Sequence, residues 1–415
     1  MKSVLDIAIV GAGVGGLASA TALSRLDHRV TVYERFKTPK PVGSGLLLQP
    51  TGLSALESLG LRQRIEALGQ RIDRLHGATR SGATVFDIRY RDLAPDLYGL
   101  GIHRAALHST LWAGFEHSGA RLETGRTITS RHIIADGRVL LLDSDGCPTP
   151  AYDLVIDASG ARTLLRGHVC RRQSRPFAYG AVWAVVADHG NAPTTLTQRY
   201  IDAEVMLGYM PVGQIAPDEP KLAAFFWSLK HVDYDAWRAD FTAWQDRASD
   251  LWPDLRPTIK AFHGPDDFSL ARYAQFTASR LSDGNLVLLG DAAHNTSPQL
   301  GQGANQALID SVTLADAITA SADLPQALQA YEKARRDHVR FYQAASWLLT
   351  PFFQSDWKAF AWLRNATFNR MRWVPYLKRE MIRTQAGLKT GIFTSRDAAK
   401  IVHAVNALPS LQAAE

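Results

Sequence analysis

The chain has 415 residues, too many for one ordinary domain, and its 46% hydrophobic and 21% charged content excludes a largely disordered protein. Cys147 and Cys170 are the only cysteines, which excludes a disulfide framework or a thiolate metal cluster and leads us to expect a cytoplasmic protein without a metal site. The net charge of +6 comes with no nucleic-acid-binding module, no stretch long and apolar enough to cross a membrane, and an apolar start (Val4–Val10) that carries Asp6 and reads as a strand rather than a secretory leader.

In chain order, Ile7–Val10 reads as a short buried strand, Gly11–Gly16 as a glycine turn, Leu17–Leu26 as a helix and Val30–Tyr33 as a second strand, a parallel βαβ unit. The turn matches G-x-G-x-x-G at Gly11, Gly13 and Gly16, with Val14 inside it. Gly11 permits the tight turn, Gly13 lets backbone approach a pyrophosphate, and Gly16 allows close helix–strand packing. The helix start offers free N–H groups and a positive dipole to phosphates. Glu34 ends the second strand where an acidic residue would accept hydrogen bonds from ribose hydroxyls. The alternative is a structural turn with Glu34 in solvent. The fingerprint does not separate FAD from NAD.

Further on, residues 74–90 alternate like antiparallel strands, 107–115 return to βα character, and 154–156 form a buried strand. From Phe177 to about Phe262 the chain reads as strands. Leu286–Leu289 is a buried strand ending in Gly290–Asp291, and most of the chain after Gly303 reads as helix. The expected fold is α/β. A discontinuous Rossmann-like dinucleotide-binding domain (1–72, 97–172, 262–345) is interleaved with an antiparallel β-sheet substrate domain (73–96, 173–261). A helical C-terminal region (346–415) follows.

The segment Asn285–Asp310 runs strand, Gly-Asp, small residues, proline, glycine-rich turn, helix. Asp291 can accept a hydrogen bond from a ribityl chain, Gly301, Gly303 and Ala304 leave room for a flat ring, and the next helix start can stabilise negative charge on a reduced flavin. With this motif complete at Gly290–Asn305, and with Glu34-Arg35 and the Arg104 helix start, the chain resembles the class A flavin monooxygenases, similar in fold to para-hydroxybenzoate hydroxylase, over roughly residues 5–345. The resemblance implies FAD as cofactor, with further contacts at Arg35, Gly45, Arg104, Ile128, Pro298 and Asn305. It implies NADPH or NADH as electron donor and O2 as co-substrate. One oxygen atom would pass by way of a flavin C4a-hydroperoxide to an aromatic or conjugated apolar small molecule. A flavin oxidase, dehydrogenase or reductase on the same fold, or a monooxygenase fed by a separate reductase, is the alternative.

The family pattern GADG-x-x-S-x-x-R here reads Asp157-Ala158-Ser159-Gly160, then Thr163 and Arg166. Ser159 replaces the aspartate linked to FAD and NAD(P)H handling. Either Asp157, two residues away on the same strand face, compensates, or reduction by NAD(P)H is weakened. No catalytic base is identified. The pocket candidates are Tyr209, Pro211, Tyr179, Trp227 and Pro298, with Trp183, Gln198 and Tyr200 also offered by the sheet segment, and plain core packing as the alternative for each aromatic. His294 is expected to be structural. At the C-terminus Arg364, Arg370, Arg372, Lys378, Arg379, Arg383 and Lys389 interleave with Trp357, Trp362, Phe368 and Trp373. This reads as a solvated basic face with its aromatics packed inward, or as a peripheral membrane contact; separately, the composition of these helices suits a lid or an apolar entry. The assembly is expected to be a monomer or homodimer.

Overall fold

The computed structural model describes residues 3–39, 43–399 and 401. Residues 402–415 of the expected helical region lie outside the described residues, as do 1, 2 and 40–42 of the first segment and 400. At its centre the strand Asp6–Val10 pairs in parallel with Arg29–Glu34 on one side and Leu154–Asp157 on the other. Leu286–Leu288 and Arg121–Thr124 extend this sheet in parallel, and Ser282–Asp283 adds an antiparallel edge, making six strands. Ile7–Val10 and Leu154–Ile156 at the middle of this sheet are buried and apolar because helices cover it. Small residues bring those helices close: Ser311 Oγ donates to the Gly15 carbonyl at 3.0 Å, joining the helix Val14–Ser24 to the helix Gly303–Ala320.

The second layer is a seven-stranded sheet in the order Ser269–Gln275, Arg175–Ala187, Leu222–Lys230, Val205–Gly213, Thr195–Ile201, Arg74–Thr79, Thr84–Arg89. It is antiparallel except for one parallel pair, Thr195–Ile201 with Arg74–Thr79, made when the two inserted pieces meet. Its first edge strand, Ser269–Gln275, lies beyond the expected boundary at 261, so the sheet claims residues assigned to the dinucleotide unit. A three-stranded antiparallel sheet (Gly45–Leu48, Gly99–His103, Gln70–Ile72) joins the two layers.

Two expectations are corrected. Residues 234–260, expected as strands, form three helices: Tyr234–Ala239, Phe241–Leu251 and Arg256–Lys260. Trp237, Phe241, Trp244, Ala248 and Leu251 recur at helical spacing and pack onto the outer face of the seven-stranded sheet, against Phe225 and Trp227. At the C-terminus the aromatics do not simply turn inward. Trp347, Trp357, Trp362 and Trp373 are 59%, 69%, 72% and 73% exposed, while Arg364 is fully buried. Arg364 donates to the Phe352 and Asp202 carbonyls and stacks over the Tyr200 ring at 4.6 Å, and Phe352, Phe353 and Phe368 are the aromatics that face in.

The helix Leu324–Phe353 spans about 45 Å at 1.5 Å per residue. It runs from the parallel sheet, where Tyr331 packs in the core, to the seven-stranded sheet, where the Phe353 ring lies 5.4 Å from Tyr200. Helices Lys358–Met371 and Pro375–Gln385 fold back across its end. A cavity of about 1220 Å³ remains between the layers.

Candidate active site

One end of the cavity is built by the N-terminal fingerprint. Gly11 adopts φ +102°, a left-handed conformation that favours glycine. A Cβ on Gly16 would lie 1.8 Å from the Gly11 carbonyl oxygen, whereas one on Gly13 would meet nothing within 4 Å, leaving that backbone open to a ligand. The helix Val14–Ser24 has no side-chain cap, so its first N–H groups are free toward the cavity. Glu34 lines this end, and its carboxylate accepts from Ala12 N–H at 2.9 Å and Phe36 N–H at 3.0 Å. Arg35 and Arg104 line the same stretch, placing cations where phosphates would lie.

Past Gly290, Asp291 carries its carboxylate on the cavity wall. By area the side chain is exposed, but that surface opens into a cavity deep within the protein. Burial there raises its pKa above the ordinary range, with His294, Arg104 and Arg166 pulling the other way. Gly301 sits at φ +60° and leads into the helix that starts at Gly303, again without a side-chain cap. Two free helix starts and an acidic group at each end therefore face one continuous groove. That donor set fits FAD: carboxylates for ribose and ribityl hydroxyls, amides for the pyrophosphate and for negative charge on a flat ring.

Beyond this ring position the walls are apolar. Strand alternation sends Ala181 and Trp183, Met206 and Met210, and Phe226 inward. Phe86, Leu196, Phe353, Phe368, Met371 and Met381 complete the walls. Polar groups are few and mostly satisfied: Tyr200 donates to Gln198 Oε1, and Trp183 Nε1 donates to Tyr273 Oη at 2.9 Å. Burial pushes the Tyr273 pKa up to about 12. The only charged side chain that the seven-stranded sheet and C-terminal helices contribute, among the described residues, is Glu380. It is held by Lys389 Nζ and Arg383 Nη1, each at 2.6 Å.

Residues 4–345 match the family model described as an FAD binding domain. The chain belongs to the class A flavin-dependent monooxygenases. It is 32% identical to the 3-amino-4-hydroxybenzoate 2-monooxygenase of Streptomyces cremeus over 80% of this chain and 83% of the relative. It is 26% identical to the 2-heptyl-3-hydroxy-4(1H)-quinolone synthase of Pseudomonas aeruginosa over 94% and 98%. Among solved structures, a Klebsiella pneumoniae protein complexed with FAD and uric acid superposes with a TM-score of 0.78 at 24% identity, covering 91% of this chain and 97% of that one. The protein is thus an FAD-dependent monooxygenase whose relatives are hydroxylases of aromatic molecules.

In this monooxygenase most of the expected cofactor residues line the groove: Gly11, Gly13, Val14, Glu34, Arg35, Gly45, Arg104, Gly290, Asp291, Pro298, Gly301, Gly303 and Ala304. Three others stand behind it. Gly16 packs on Gly11, and Ile128 is buried in the core of the parallel-sheet unit. Asn305 accepts from Gln49 N–H at 2.8 Å and donates to the Leu47 and Gly301 carbonyls, clamping the motif loop to the small sheet.

Of the expected pocket residues only Pro298 faces the cavity, with Trp183, Gln198 and Tyr200 from the wider set. Tyr209 and Trp227 are one residue out of phase and point to the outer face of the sheet, where Tyr209 donates to Asp188 at 2.8 Å and Trp227 packs edge-on to Trp244. Pro211 lies against Gly101. Tyr179 donates to Asp356 at 2.5 Å beside a separate small hollow. The phase was hidden because Val205–Gly213 is buried on both faces, so apolar residues fill every position.

At position 159 the geometry is specific. Ser159 faces the cavity, but Asp157 is fully buried behind it, accepting from Ser159 Oγ at 2.6 Å and from Thr163 Oγ1. It offers the cavity no carboxylate. Burial raises its pKa, against the pull of those hydroxyls. Arg166 latches this loop to the Gly-Asp motif through the Ala161, Ala292 and Asp291 carbonyls.

Beneath the motif lies a buried polar network that sequence reading missed. Asp310 accepts from Gly290 N–H at 2.8 Å, His294 Nε2 at 2.7 Å and Arg335 Nε at 2.5 Å. Arg335 also contacts Gln306 and, at 2.6 Å, His338. Burial acts to raise the Asp310 pKa, but His294 and Arg335 outweigh it and hold the carboxyl well below the usual range. Burial pushes the His338 pKa well down, assisted by Arg335, so His338 is neutral beside the guanidinium. His294 is therefore bound into the support of the motif.

Proposed function

We propose that this monooxygenase hydroxylates an uncharged, electron-rich aromatic or conjugated molecule bearing an apolar substituent. The observation that carries the reading is the absence, among the described residues, of any lysine, arginine or histidine on the cavity walls formed by the sheet and the C-terminal helices. A carboxylate taken into that space would lose its hydration without gaining a partner. The Streptomyces relative is named for a benzoate and the Pseudomonas relative for a heptylquinolone; walls that offer no cation favour the second kind of molecule. Bound FAD supplies the redox chemistry, taking electrons from a nicotinamide and passing on one atom of O2. The chain's own part is to hold the ring, exclude water and orient the flavin through Asp291 and the Gly301–Ala304 turn. Labelled O2 should appear in the product, and label-free product would refute monooxygenation.

Ser159, with its carboxylate moved out of reach at Asp157, supports a second reading in which electrons come from a separate reductase. Stopped-flow mixing of the FAD-bound enzyme with NADH and NADPH decides: reduction no faster than that of free flavin rules out direct use of either nucleotide. We also propose that the basic, aromatic C-terminal region is a peripheral membrane contact, a reading supported by the outward turn of its tryptophans.

A further inference from the structure

Several exposed apolar side chains of the C-terminal region stand among or beside residues that line the substrate cavity. Leu348 is 59% exposed and also lines the cavity, so it stands in the mouth itself. Exposed Trp347 precedes it on the same helix. Exposed Trp373 and Tyr376 flank the turn between the last two helices, next to Met371 and Leu377, which both line the cavity. The loop carrying exposed Ile392 and Phe393 closes the ring: Lys389 Nζ donates to the Ile392 carbonyl and lies over the ring of Phe341, a cavity residue.

Charge accompanies this ring. Residues 340–396 carry ten Lys and Arg against two Asp and Glu, so the rest of a chain with a net charge of only +6 is slightly acidic. Arg340, Lys358, Arg370 and Arg379 are exposed, and Arg340 sits two helical turns from Trp347, on the same side of its helix. Tryptophan and tyrosine between cations suit the interface of an anionic bilayer, where the rings sit among headgroups and the cations meet lipid phosphates. Among the described residues no helix is long and apolar enough to cross a membrane, so the contact would be peripheral.

We infer that this patch docks on an anionic phospholipid bilayer so as to set the mouth of the substrate cavity, at Leu348, against the hydrocarbon, and that an apolar substrate passes from lipid to flavin without crossing water. The inference rests on the membrane contact proposed above and adds the orientation of the mouth.

The test uses the full-length, FAD-bound enzyme. It should sediment with mixed phosphatidylcholine–phosphatidylglycerol vesicles, weakly with phosphatidylcholine alone, and less at high salt. The variant W347S/W373S, with unchanged flavin absorbance, should partition at least about tenfold less, the effect of withdrawing a large apolar side chain from lipid. Orientation is read by nitroxide labels at Leu348→Cys and, as a control on the distant hairpin, Ile133→Cys, both in a Cys147→Ser background. On vesicles the label at 348 should become accessible to lipid-dissolved oxygen and shielded from an aqueous relaxant, while the label at 133 stays in water. A vesicle-bound enzyme whose 348 label remains aqueous overturns the orientation but leaves the contact standing. Failure to sediment with anionic vesicles overturns both, as does self-association in buffer that W347S/W373S abolishes in place of lipid binding.

Discussion

Replacing Asp310 by asparagine should show how far the flavin motif depends on the network beneath it. Asp310 and Arg335 are both fully buried. The carboxylate satisfies three donors, the Gly290 N–H, His294 Nε2 and Arg335 Nε. Asparagine keeps one oxygen and turns an NH2 toward a donor, leaving the guanidinium without its counter-charge. Removing one partner of a buried pair costs about 3–5 kcal/mol, most of it the stranded charge. With about 2.1 cal/mol/K of unfolding entropy per residue, the 415 residues give about 0.9 kcal/mol/K, so the loss should appear as a drop of about 3–6 °C in melting temperature. FAD content should fall with it, because Gly290 loses the hydrogen bond that fixes it beside Asp291. The double variant D310L/R335M should be more stable than D310N, since no charge is left stranded. The pH dependence has a definite sign. A lowered folded pKa stabilises fully above the unfolded value, about 3.9 for aspartate, and the contribution is lost as pH falls through the folded pKa. D310N should therefore lose less stability than the parent on acidification below about pH 4. Calorimetry on FAD-loaded protein reads all three. A D310N melting temperature within about 1 °C of the parent with full flavin content, or a double variant as damaged as the two single changes combined, would refute the reasoning.

Strand phase is testable by neighbours on one strand: Met210→Trp should fill the cavity and weaken substrate binding at least about tenfold, whereas Tyr209→Phe should leave the substrate Kd unchanged and only lower stability by about 1 kcal/mol through its lost bond to Asp188. Glu34→Gln should raise the FAD Kd by about tenfold or more, as a charge-assisted acceptor becomes neutral, measured by flavin fluorescence. With Tyr273 pushed up to about 12 and no histidine on the sheet-side walls among the described residues, kcat/KM should follow the substrate's own ionisation and show no enzyme group between about pH 6 and 8; a profile that ignores the substrate's pKa would reveal a base.

The parts legible in the sequence were those set by local backbone demands. The glycines of the fingerprint are required where φ is positive or where a Cβ would strike backbone, so Gly11 and Gly16 announce the turn on their own. The parts that were not legible depend on what covers a surface. Val205–Gly213 is packed on both faces, and no alternation survives to say that Met210 rather than Tyr209 meets the substrate. The tryptophans of residues 234–252 have high strand propensity, and their helical spacing decides only once the sheet gives that face something to cover. Arg364 reads as a surface cation, yet it finds the Phe352 and Asp202 carbonyls and two aromatic rings only because distant segments converge on it.

The replacement at position 159 is better understood as a displacement than a loss. Where the family has Gly-Ala-Asp-Gly, this chain has Asp157-Ala158-Ser159-Gly160, so the number of carboxylates is kept while the charge moves two residues back and behind the cavity wall. The two positions exclude each other. Ser159 Oγ already lies 2.6 Å from the Asp157 carboxylate, and two carboxylates at that range cannot both ionise. Ser159→Asp alone should therefore trap a proton and bind FAD more weakly. The exchange D157G/S159D should bind FAD normally and restore a charged group to the cavity side. If the family aspartate serves the nicotinamide, that exchange should reduce FAD with NADPH or NADH at least about tenfold faster than the parent in stopped flow, a gain of about 1.4 kcal/mol in transition-state stabilisation. If the parent already matches it, the buried Asp157 acting through the Ser159 hydroxyl suffices, and the case for a separate reductase falls with the result.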